Sequence, residues 1–546
     1  MIEEKVEDVF TFEKLYKGHL KGRCSKRDRK SLVKFEMGTL GKIYEVYDRI
    51  QRGIYKTGRY STFVIKEPKQ REIQTLKYED RVVQHAICDN VIAPYFTKRA
   101  IEDNCVCQIG KGTHYALKRF EKMLKNFVQK NGQKGYFLKC DIEKYFPSLS
   151  HRVLKRILIK EIKDKKLQEF LCEIVESYHT KVEYLNRYNI NPIETEEGKT
   201  GRGVPIGNQT SQTFGMYYLN DLDRMLKEKY QVKIYSRYMD DFIMVFDTKK
   251  KAQDILEIIR EKVAELDLQL NSRTQIFPLK NGVSYLGFRY QINKDGKVIK
   301  KVTKKTKKRF VKREKLLRLA YSKGLIKRER VEESLNAYHG HLMHGNCFKL
   351  EREVSGGLRK MIIEDEKNEK ELLKTTNKDQ KETRKEDFDT KEHNLTTLEK
   401  EGLASTDDVA RKNFIIDALA TSGAGQKDMA VITHAKKLGE YILIITEKSP
   451  KKYRWSIVSK LQNCSSQIID CLYQANFEKD EKREFYQTRA GVELNLLDFY
   501  AETAKKMQAI TIHQMEVIAK QIFETKKLLG GWIRSTKKKK ISKTCE

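Results

Sequence analysis

Two adjacent acids interrupt an apolar run near the middle of the chain. Asp240 and Asp241 lie within residues 234–246, which read IYSRYMDDFIMVF and are otherwise rich in strand-forming residues. An unpaired buried carboxylate is costly, and two neighbouring carboxylates repel each other. The pair is therefore expected at a hairpin turn, where it binds a divalent cation. Taken alone, an Asp-Asp pair is more often an ordinary exposed turn between two strands.

A third acid about a hundred residues upstream favours the metal-binding interpretation. Asp141 ends another apolar run, YFLKCD at 136–141, and is followed by aromatic residues and Pro147. Mg²⁺ prefers carboxylate oxygens together with substrate phosphates, and Mn²⁺ is a possible substitute. Two such ions, about 3.5–4 Å apart, stabilise the attacking and leaving oxygens of an in-line phosphoryl displacement. The three carboxylates thus predict phosphoryl transfer with two Mg²⁺ ions.

A glycine-rich loop lies between the two acidic sites. Residues 201–212 read GRGVPIGNQTSQ and precede an amphipathic helix that runs through Met225. Gly207 lets a backbone approach a substrate closely. The side chains of Asn208, Ser211 and Gln212 can position a template base or a nucleotide. The alternative is a glycine-rich loop that only caps the helix.

The whole chain is long and strongly basic. It has 546 residues and a formal net charge of +34, which predicts three or four domains and a polyanionic partner, nucleic acid or an anionic membrane. Apolar runs are too short for a transmembrane helix, and the acidic start does not resemble a secretory signal. Scattered cysteines are typical of reduced thiols in a cytoplasmic protein.

Composition divides the chain near residue 361. Residues 361–426 are acidic, poor in aromatic residues and predicted to be a flexible linker. Residues 427–546 are basic and show apolar residues three or four apart, as in Ile432, Ala435, Leu438 and Ile442. Ser449-Pro450 marks the start of a second helix. Four such amphipathic stretches predict a four-helix bundle.

The order of these motifs resembles the palm of a reverse transcriptase. The matching elements are Asp141-x4-Phe146, then the glycine-rich loop, then the Tyr238-Met-Asp-Asp241 box. The resemblance implies an α+β right-hand polymerase with an antiparallel palm sheet and a helical thumb, followed here by the all-α bundle. It places fingers and palm at 1–290 and a basic thumb at 291–360. The implied activity is RNA-directed DNA polymerisation.

The resemblance also implies a role for each matched residue. Asp141, Asp240 and Asp241 are the expected catalytic residues, and with Ile142 they are the expected metal ligands. Incoming nucleotides would be bound by Lys66, Lys69, Arg71, Phe146 and Gln212. Gly207, Asn208 and Ser211 would face the template or the nucleotide, and Leu286 and Gly287 would form the primer grip. Arg273 stands where many relatives have a lysine, and because arginine hardly deprotonates, a general-acid role there is doubtful.

Two features resemble one kind of reverse transcriptase in particular. The form Ile206-Gly207-x-x-x-Ser211-Gln212 is similar to the enzymes of diversity-generating retroelements, which copy a template-repeat RNA into cDNA with errors at adenines. Residues 438–463 resemble the accessory variability protein of the same elements. This resemblance implies template RNA, cDNA or primer, and dNTPs as partners. It further implies a homo-oligomer, a pentamer, formed through the bundle.

Two other functions stay open on the sequence alone. One is a bacterial phage-defence reverse transcriptase with an unrelated helical appendage. The other is a non-catalytic nucleic-acid scaffold, which the intact Asp141, Asp240 and Asp241 argue against. The expected location is the cytoplasm, for a bacterial, archaeal or phage-encoded protein, without membrane attachment.

Overall fold

The structure is a computed structural model that describes residues 1–27, 29–66, 70–386, 430–447 and 449–544. The chain forms two compact units. The first unit comprises Met1–Asn281, Lys294–Val298 and Asp428–Glu546. The second unit comprises Gly282–Asn293 and Ile299–Lys427.

Antiparallel sheets organise the strands. The described residues contain the strands β1 (Ser61–Ile65), β2 (Arg71–Thr75), β3 (Tyr136–Asp141), β4 (Ile234–Tyr238), β5 (Asp241–Phe246), β6 (Gln275–Pro278), β7 (Val283–Tyr285), β8 (Phe288–Ile292) and β9 (Val298–Val302). In the first unit β1 pairs with β2, and a four-stranded sheet has the order β4-β5-β3-β6. Strands β7, β8 and β9 form a third sheet. The four-stranded sheet is central to the site, because β3 and β5 are its inner strands.

Helices surround the four-stranded sheet in the first unit. Those before the second unit are α1 (Val6–Val9), α2 (Phe12–Gly22), α3 (Lys30–Glu36), α4 (Thr39–Gln51), α5 (Tyr78–Ile87), α6 (Ala93–Arg99), α7 (Thr113–Asn131), α8 (Tyr145–Ser148), α9 (His151–Glu161), α10 (Lys165–Glu176), α11 (Val182–Asn186), α12 (Gln209–Tyr218), α13 (Asn220–Arg224) and α14 (Lys249–Glu265). Short π-helical segments at Cys88–Ile92 and Met225–Lys229 continue α5 and α13. Their apolar faces are buried, as in α9, where Val153, Leu154 and Leu158 are all nearly inaccessible to solvent.

Three helices form the core of the second unit. They are α15 (Lys304–Ser322), α16 (Arg328–Leu342) and α17 (Phe348–Glu386). They bury a small apolar cluster that includes Phe310, Val331 and Leu358. The sequence of α15 is densely basic, and the thumb assignment of this region stays a prediction.

The C-terminal part is helical, as the apolar spacing predicts. Its helices are α18 (Ala430–Glu447), α19 (Lys451–Tyr453), α20 (Ser459–Phe477), α21 (Asp480–Lys506) and α22 (Ile512–Thr544). The one-turn helix α19 and a π-helical turn lead directly into α20, and Pro450 stands at the N-cap of α19 rather than inside the helix. The four long helices bury the predicted stripes, with Leu438, Leu461 and Ile518 at most 1% exposed. We call α18 and α20–α22 the bundle.

The predicted fold class is confirmed. The structure has an α+β part with antiparallel sheets and a helical C-terminal part. The proposed domain boundaries stay a prediction. Helix α17 extends into the predicted linker at 361–426, and residues 387–426 of that linker lie outside the described residues. Within the described ranges, no helix combines the length and apolarity needed to cross a membrane.

Candidate active site

The sheet brings the predicted carboxylates together at one end of its inner strands. Asp141, the last residue of β3, is the register partner of Asp241, the first residue of β5. Directly opposed residues of an antiparallel pair share one face, with their Cβ atoms about 4.5–5.5 Å apart. Asp141 and Asp240 line one cavity of about 540 Å³, and Asp141 and Asp241 line a neighbouring one. The fold therefore brings Asp141 next to the adjacent pair Asp240 and Asp241, about a hundred residues away in sequence.

A tight turn carries Asp240. Tyr238 pairs with Asp241 across the β4–β5 hairpin, so Met239 and Asp240 form its two-residue loop. Met239 has a φ of +61°, in the left-handed region that a residue with a side chain seldom adopts. Such a conformation persists only where the surroundings enforce it, and it is frequent at functional sites.

The carboxylates are crowded and partly desolvated. Burial raises the pKa of Asp240 to about 6, and the neighbouring charges of Asp141 and Asp241 add to the rise. Burial also raises the pKa of Asp241, which the Lys139 ammonium opposes from 3.4 Å. The charge of Arg71 lowers the pKa of Asp240, which places Arg71 within electrostatic reach of the site. Burial is thus the main reason that the pKa values of both carboxyl groups are raised.

A divalent cation fits this donor set. The buried Oδ1 of Asp241 lies 3.4 Å from the Lys139 ammonium and has no well-aligned hydrogen bond from any described residue. The available ligand atoms are hard carboxylate oxygens, which Mg²⁺ prefers. Among the described residues, no group of three or more His, Cys, Asp or Glu side chains is placed to hold a metal ion by itself. The remaining ligands would therefore come from water and substrate phosphates, as is usual for Mg²⁺.

Backbone contacts hold the end of β3. The Asn271 amide donates to the Asp141 carbonyl at 2.8 Å, and the Asn271 side chain donates to the Glu143 carboxylate. Ile142, the expected fourth metal ligand, is 2% exposed and pairs with Leu270 in an isolated bridge. The exposed Arg273 lines both cavities beside the carboxylates, so a fixed positive charge borders the site.

Phe146 lies next to the turn of the carboxylate site. It is half-buried on α8, directly after the buried Tyr145. The Phe146 ring and the Met239 sulfur would both lie within 3.3 Å of a Cβ at Gly215 of α12. The absence of a side chain at Gly215 therefore lets α12 approach both elements closely.

The glycine-rich loop forms a backbone hydrogen bond with strand β2. The Gln74 amide donates to the Ile206 carbonyl at 3.1 Å. Gly207 has a φ of +133°, and a Cβ there would lie 2.6 Å from the Gln74 carbonyl oxygen. Only glycine fits this position without displacing β2.

The polar residues of the loop have different exposures. Asn208 is buried and its Nδ2 donates to the Tyr60 hydroxyl at 2.9 Å, and Ser211 is 2% exposed. Gln212, in contrast, is exposed on α12. Of the three, only Gln212 is exposed to solvent, and the roles predicted for all three stay predictions.

The remaining predicted residues lie on two hairpins. Lys66 directly follows β1, and Arg71 begins β2 opposite Ile65. Lys69 lies outside the described residues. In the second unit, Leu286 and Gly287 form the loop of the β7–β8 hairpin, with φ values of +45° and +85°. Two positive φ values are typical of the tight turns that join antiparallel strands.

One residue that the motif analysis missed holds the Met239 turn. Arg237 is fully buried and forms two hydrogen bonds with Asp223, at 2.5 and 2.7 Å. Its Nη1 donates to the Met239 carbonyl at 2.9 Å, and its Nη2 donates to the Met216 carbonyl at 2.9 Å. The signal in the sequence was a lone Arg within an apolar strand, directly before the Tyr-Met-Asp-Asp box.

The models of two known protein families match two separate parts of the chain. Residues 65–290 match the family model "Reverse transcriptase (RNA-dependent DNA polymerase)", and residues 429–536 match the family model "bAvd-like". Protein YkfC of Escherichia coli (strain K12) is 22% identical over 213 residues, which are 33% of this chain and 52% of that protein. The chain therefore spans about half the length of this curated relative.

Telomerase structures show a distant similarity. The Candida albicans telomerase bound to a telomeric RNA fragment has 15% identity and a TM-score of 0.31, over 46% of each chain. The apo telomerase of Candida tropicalis has 14% identity and a TM-score of 0.29, over 43% of this chain and 47% of that one. TM-scores this low support no conclusion about function.

The two family matches agree with the geometry. The match at 65–290 includes the three carboxylates, the glycine-rich loop and strand β2, and the match at 429–536 includes the bundle as far as residue 536 of α22. The chain therefore carries a reverse transcriptase domain and, in the same polypeptide, a bAvd-like domain, the accessory variability determinant of diversity-generating retroelements.

Proposed function

We propose that the chain is the RNA-directed DNA polymerase of a diversity-generating retroelement. It copies a template-repeat RNA into cDNA with errors at adenines, and this cDNA diversifies a target gene. The proposal rests on one observation: Asp141, Asp240 and Asp241 lie close together where β3 ends and β5 begins, in a chain that also has a bAvd-like domain. The fused bundle contributes nucleic-acid binding.

The carboxylates would perform the chemistry by holding two Mg²⁺ ions. Asp141 and Asp240 are the main ligands, with Asp241 and the Ile142 carbonyl in support. When bound, the ions neutralise the charge that develops on the attacking and leaving oxygens. The protein's own contribution is the turn at Met239 and the register between Asp141 and Asp241, which hold the carboxylates in place before substrate arrives.

The surrounding residues would bind the nucleotide and the duplex. Arg71, Lys66 and Lys69 contact the triphosphate. The role of Arg71 is supported by its charge, which lowers the pKa of Asp240 and therefore acts at the site. Phe146 excludes a ribose 2′-hydroxyl, while Gln212 contacts the nucleotide. The Leu286-Gly287 turn grips the primer, and the basic surface of α15 neutralises phosphates without reading sequence.

Primer extension on an RNA template tests the proposal. With Mg²⁺, a primer and four dNTPs, we expect cDNA whose errors are concentrated at template adenines, as measured by sequencing the products. The cognate template RNA is supplied in parallel with an unrelated RNA of the same length. Product made without any template would favour the phage-defence alternative, and faithful cDNA would refute the mutagenic part.

We also propose that the chain forms a homo-oligomer through the bundle, with a pentamer expected by resemblance. One face of α21 carries exposed apolar residues at helical spacing, namely Phe485, Val492, Leu496 and Phe499, which are 40–60% exposed. A row of exposed apolar residues of this kind is typical of a surface that binds a protein partner. We call these four residues the α21 stripe.

Charges placed in the α21 stripe should dissociate the oligomer. We expect the double variant Phe485→Glu, Phe499→Glu to be monomeric, with at least about a 100-fold weaker association, because two buried aromatic contacts are lost. Native mass spectrometry of the full chain measures the assembly. Ile159→Glu, which changes an exposed apolar residue of α9, is the matched control and should leave the assembly unchanged. A wild-type chain that is monomeric at micromolar concentration would refute the proposal.

A further inference from the structure

The β1–β2 hairpin has one buried residue, and that residue is polar. Every residue of β1 is exposed, and so are the first two residues of β2. Of the residues in these two strands, all of which the structure describes, only Gln74 is buried, at 7% exposure. An isolated two-stranded hairpin is at best marginally stable in water. Contacts with other elements must therefore fix its orientation, and Gln74 marks where one of them lies.

Gln74 satisfies both backbone polar groups of Ile206 in the glycine-rich loop. Its amide donates to the Ile206 carbonyl at 3.1 Å, and its side-chain Oε1 accepts a hydrogen bond from the Ile206 amide at 3.2 Å. The Gln74 carbonyl oxygen lies against Gly207, where a Cβ would be only 2.6 Å away. A buried backbone amide that loses its acceptor is costly. The side-chain carboxamide of Gln74 is therefore needed to complete this contact.

A second contact joins the same hairpin to the same loop. Tyr60 directly precedes β1, and its hydroxyl accepts a hydrogen bond from Asn208 Nδ2 at 2.9 Å. The Tyr60 hydroxyl also lies 3.0 Å from the Ser177 hydroxyl. Asn208 is the N-cap residue of α12, and Ile206 stands two residues before it. The hairpin is thus joined to the start of α12 beside both of its strands.

The start of α12 is in turn held by another part of the first unit. Gln209, the first residue of α12, donates from Nε2 to Asp89 Oδ1 at 2.8 Å. Asp89 also pairs with Lys21 of α2, at 3.3 Å. The start of α12 therefore has a fixed position, to which Gln74 and Tyr60 bind the hairpin.

Two residues expected to bind the nucleotide lie on the two elements that Gln74 joins. Arg71 begins β2 three residues before Gln74, about 10 Å along the strand. Its charge lowers the pKa of Asp240, so it acts at the carboxylate site. Gln212 is exposed on α12, six residues after Ile206. The separation of Arg71 and Gln212 therefore depends on how the hairpin is held against the start of α12.

We propose that Gln74 is a positioning residue for nucleotide binding. Its carboxamide holds the β1–β2 hairpin against the start of α12, so that Arg71 and Gln212 stand at a fixed separation before the nucleotide arrives. Tyr60 is the second contact with the same role. This proposal rests on the nucleotide-binding roles proposed above for Arg71 and Gln212, through which Gln74 acts.

Single-nucleotide extension by the full chain on a primed RNA template tests the proposal. Gln74→Leu keeps the approximate size of the side chain but removes the acceptor of the Ile206 amide. We expect the KM for dNTP to rise by about 10- to 100-fold, the effect of an unsatisfied buried amide. The kcat should stay nearly unchanged, because a bound nucleotide restores the arrangement that the free variant adopts only part of the time.

Two further variants identify the group responsible. Gln74→Glu keeps an acceptor oxygen for the Ile206 amide, so most of the affinity for dNTP should be recovered. Gln129→Leu makes the same chemical change at an exposed residue of α7 and is the matched control, with wild-type KM and kcat expected.

A double-mutant cycle with Arg71 separates this proposal from the proposed role of Arg71. If Gln74 acts by placing Arg71, Arg71→Ala should raise the KM by itself, and Gln74→Leu should then raise it much less further. An unchanged KM in Arg71→Ala would refute the nucleotide-binding role of Arg71, and with it the basis of the positioning role. Effects of the two substitutions that multiply in full would leave the role of Arg71 intact and overturn the positioning role of Gln74.

The single variants can overturn the proposal as well. A folded Gln74→Leu variant with a wild-type KM, or with a lower kcat at an unchanged KM, would do so, and a thermal melt verifies folding. The same holds if Gln74→Glu is as impaired as Gln74→Leu. If Gln74→Leu does not fold, Tyr60→Phe takes its place, because it removes only the acceptor of Asn208. We expect this variant to have a KM about 3- to 10-fold higher at a nearly unchanged kcat, and a wild-type KM would overturn the proposal.

Discussion

Replacement of Asp240 by Asn is expected to abolish polymerisation without unfolding the protein. The substitution removes a carboxylate that would hold both Mg²⁺ ions, and metal stabilisation of the transition state is worth several kcal/mol, so we expect a loss of at least about 10³-fold in kcat. The carboxylate itself is desolvated and repelled by Asp141 and Asp241, which raises the pKa of Asp240 to about 6. A raised carboxyl pKa means that the charged form destabilises the fold at neutral pH. Asn should therefore leave the Tm unchanged or raise it.

The measurement pairs single-nucleotide extension with a thermal melt at pH 7.5. Asp247→Asn is the matched control, because Asp247 follows the same hairpin but is exposed and pairs with Lys251 on the surface. This control should retain wild-type activity. An Asp240→Asn enzyme with appreciable activity would refute the catalytic assignment, and a collapsed melt would show that Asp240 is structural.

Replacement of Arg237 by Met is expected to impair both stability and catalysis, by two separable routes. The substitution leaves Asp223 buried without its cation, which should lower the free energy of unfolding by about 3–5 kcal/mol. It also removes the hydrogen bond to the Met239 carbonyl, which holds the strained turn that presents Asp240. Arg237 acts on the reaction only through this turn, so it is a positioning residue.

The double variant Asp223→Asn, Arg237→Met separates the two routes. Removal of both charges should restore most of the stability, since the introduced carboxamide can still accept the hydrogen bond that the Tyr235 hydroxyl donates to Asp223. The turn stays unsupported, and a displacement of about 1 Å at a catalytic group costs about 10²-fold in rate. We therefore expect a near-native melt, a kcat reduced by about 10²-fold and a nearly unchanged KM for dNTP.

A neighbouring arginine provides the control for this pair. Arg224→Met changes an exposed residue that pairs with Glu228, and surface pairs of this kind contribute at most about 1 kcal/mol. Its stability and kcat should stay close to wild type. A stable double variant with wild-type kcat would show that the Arg237 contact to Met239 is dispensable for catalysis.

Much of the fold was predictable because it depends on local patterns. The strands that end at Asp141 and begin at Asp241 are marked by short apolar runs, and their acids stand out against those runs. The four bundle helices follow from apolar residues three or four apart, which must be buried together. The family resemblance then implied an antiparallel sheet, which periodicity alone does not determine.

Other features could not be predicted, because they depend on side chains that meet only in the folded chain. The exposed Gln212 and the buried Asn208 and Ser211 look alike in sequence, and only the packing of the loop on β2 separates their roles. Arg237 was visible as a charge in an apolar strand. Its partner Asp223 and its contact with Met239 were not, because both depend on how α13 packs against the hairpin.

The sequence by itself determined which residues can do chemistry and which stretches become helices and strands, since both depend on residue type and spacing over a few turns. The tertiary structure alone decided that the bundle caps α4 through Asp498 and that Arg237 supports the Met239 turn. The physical reason is that a buried charge is tolerated only where a complementary group meets it. That group can lie anywhere in the sequence, so its identity is decided by folding.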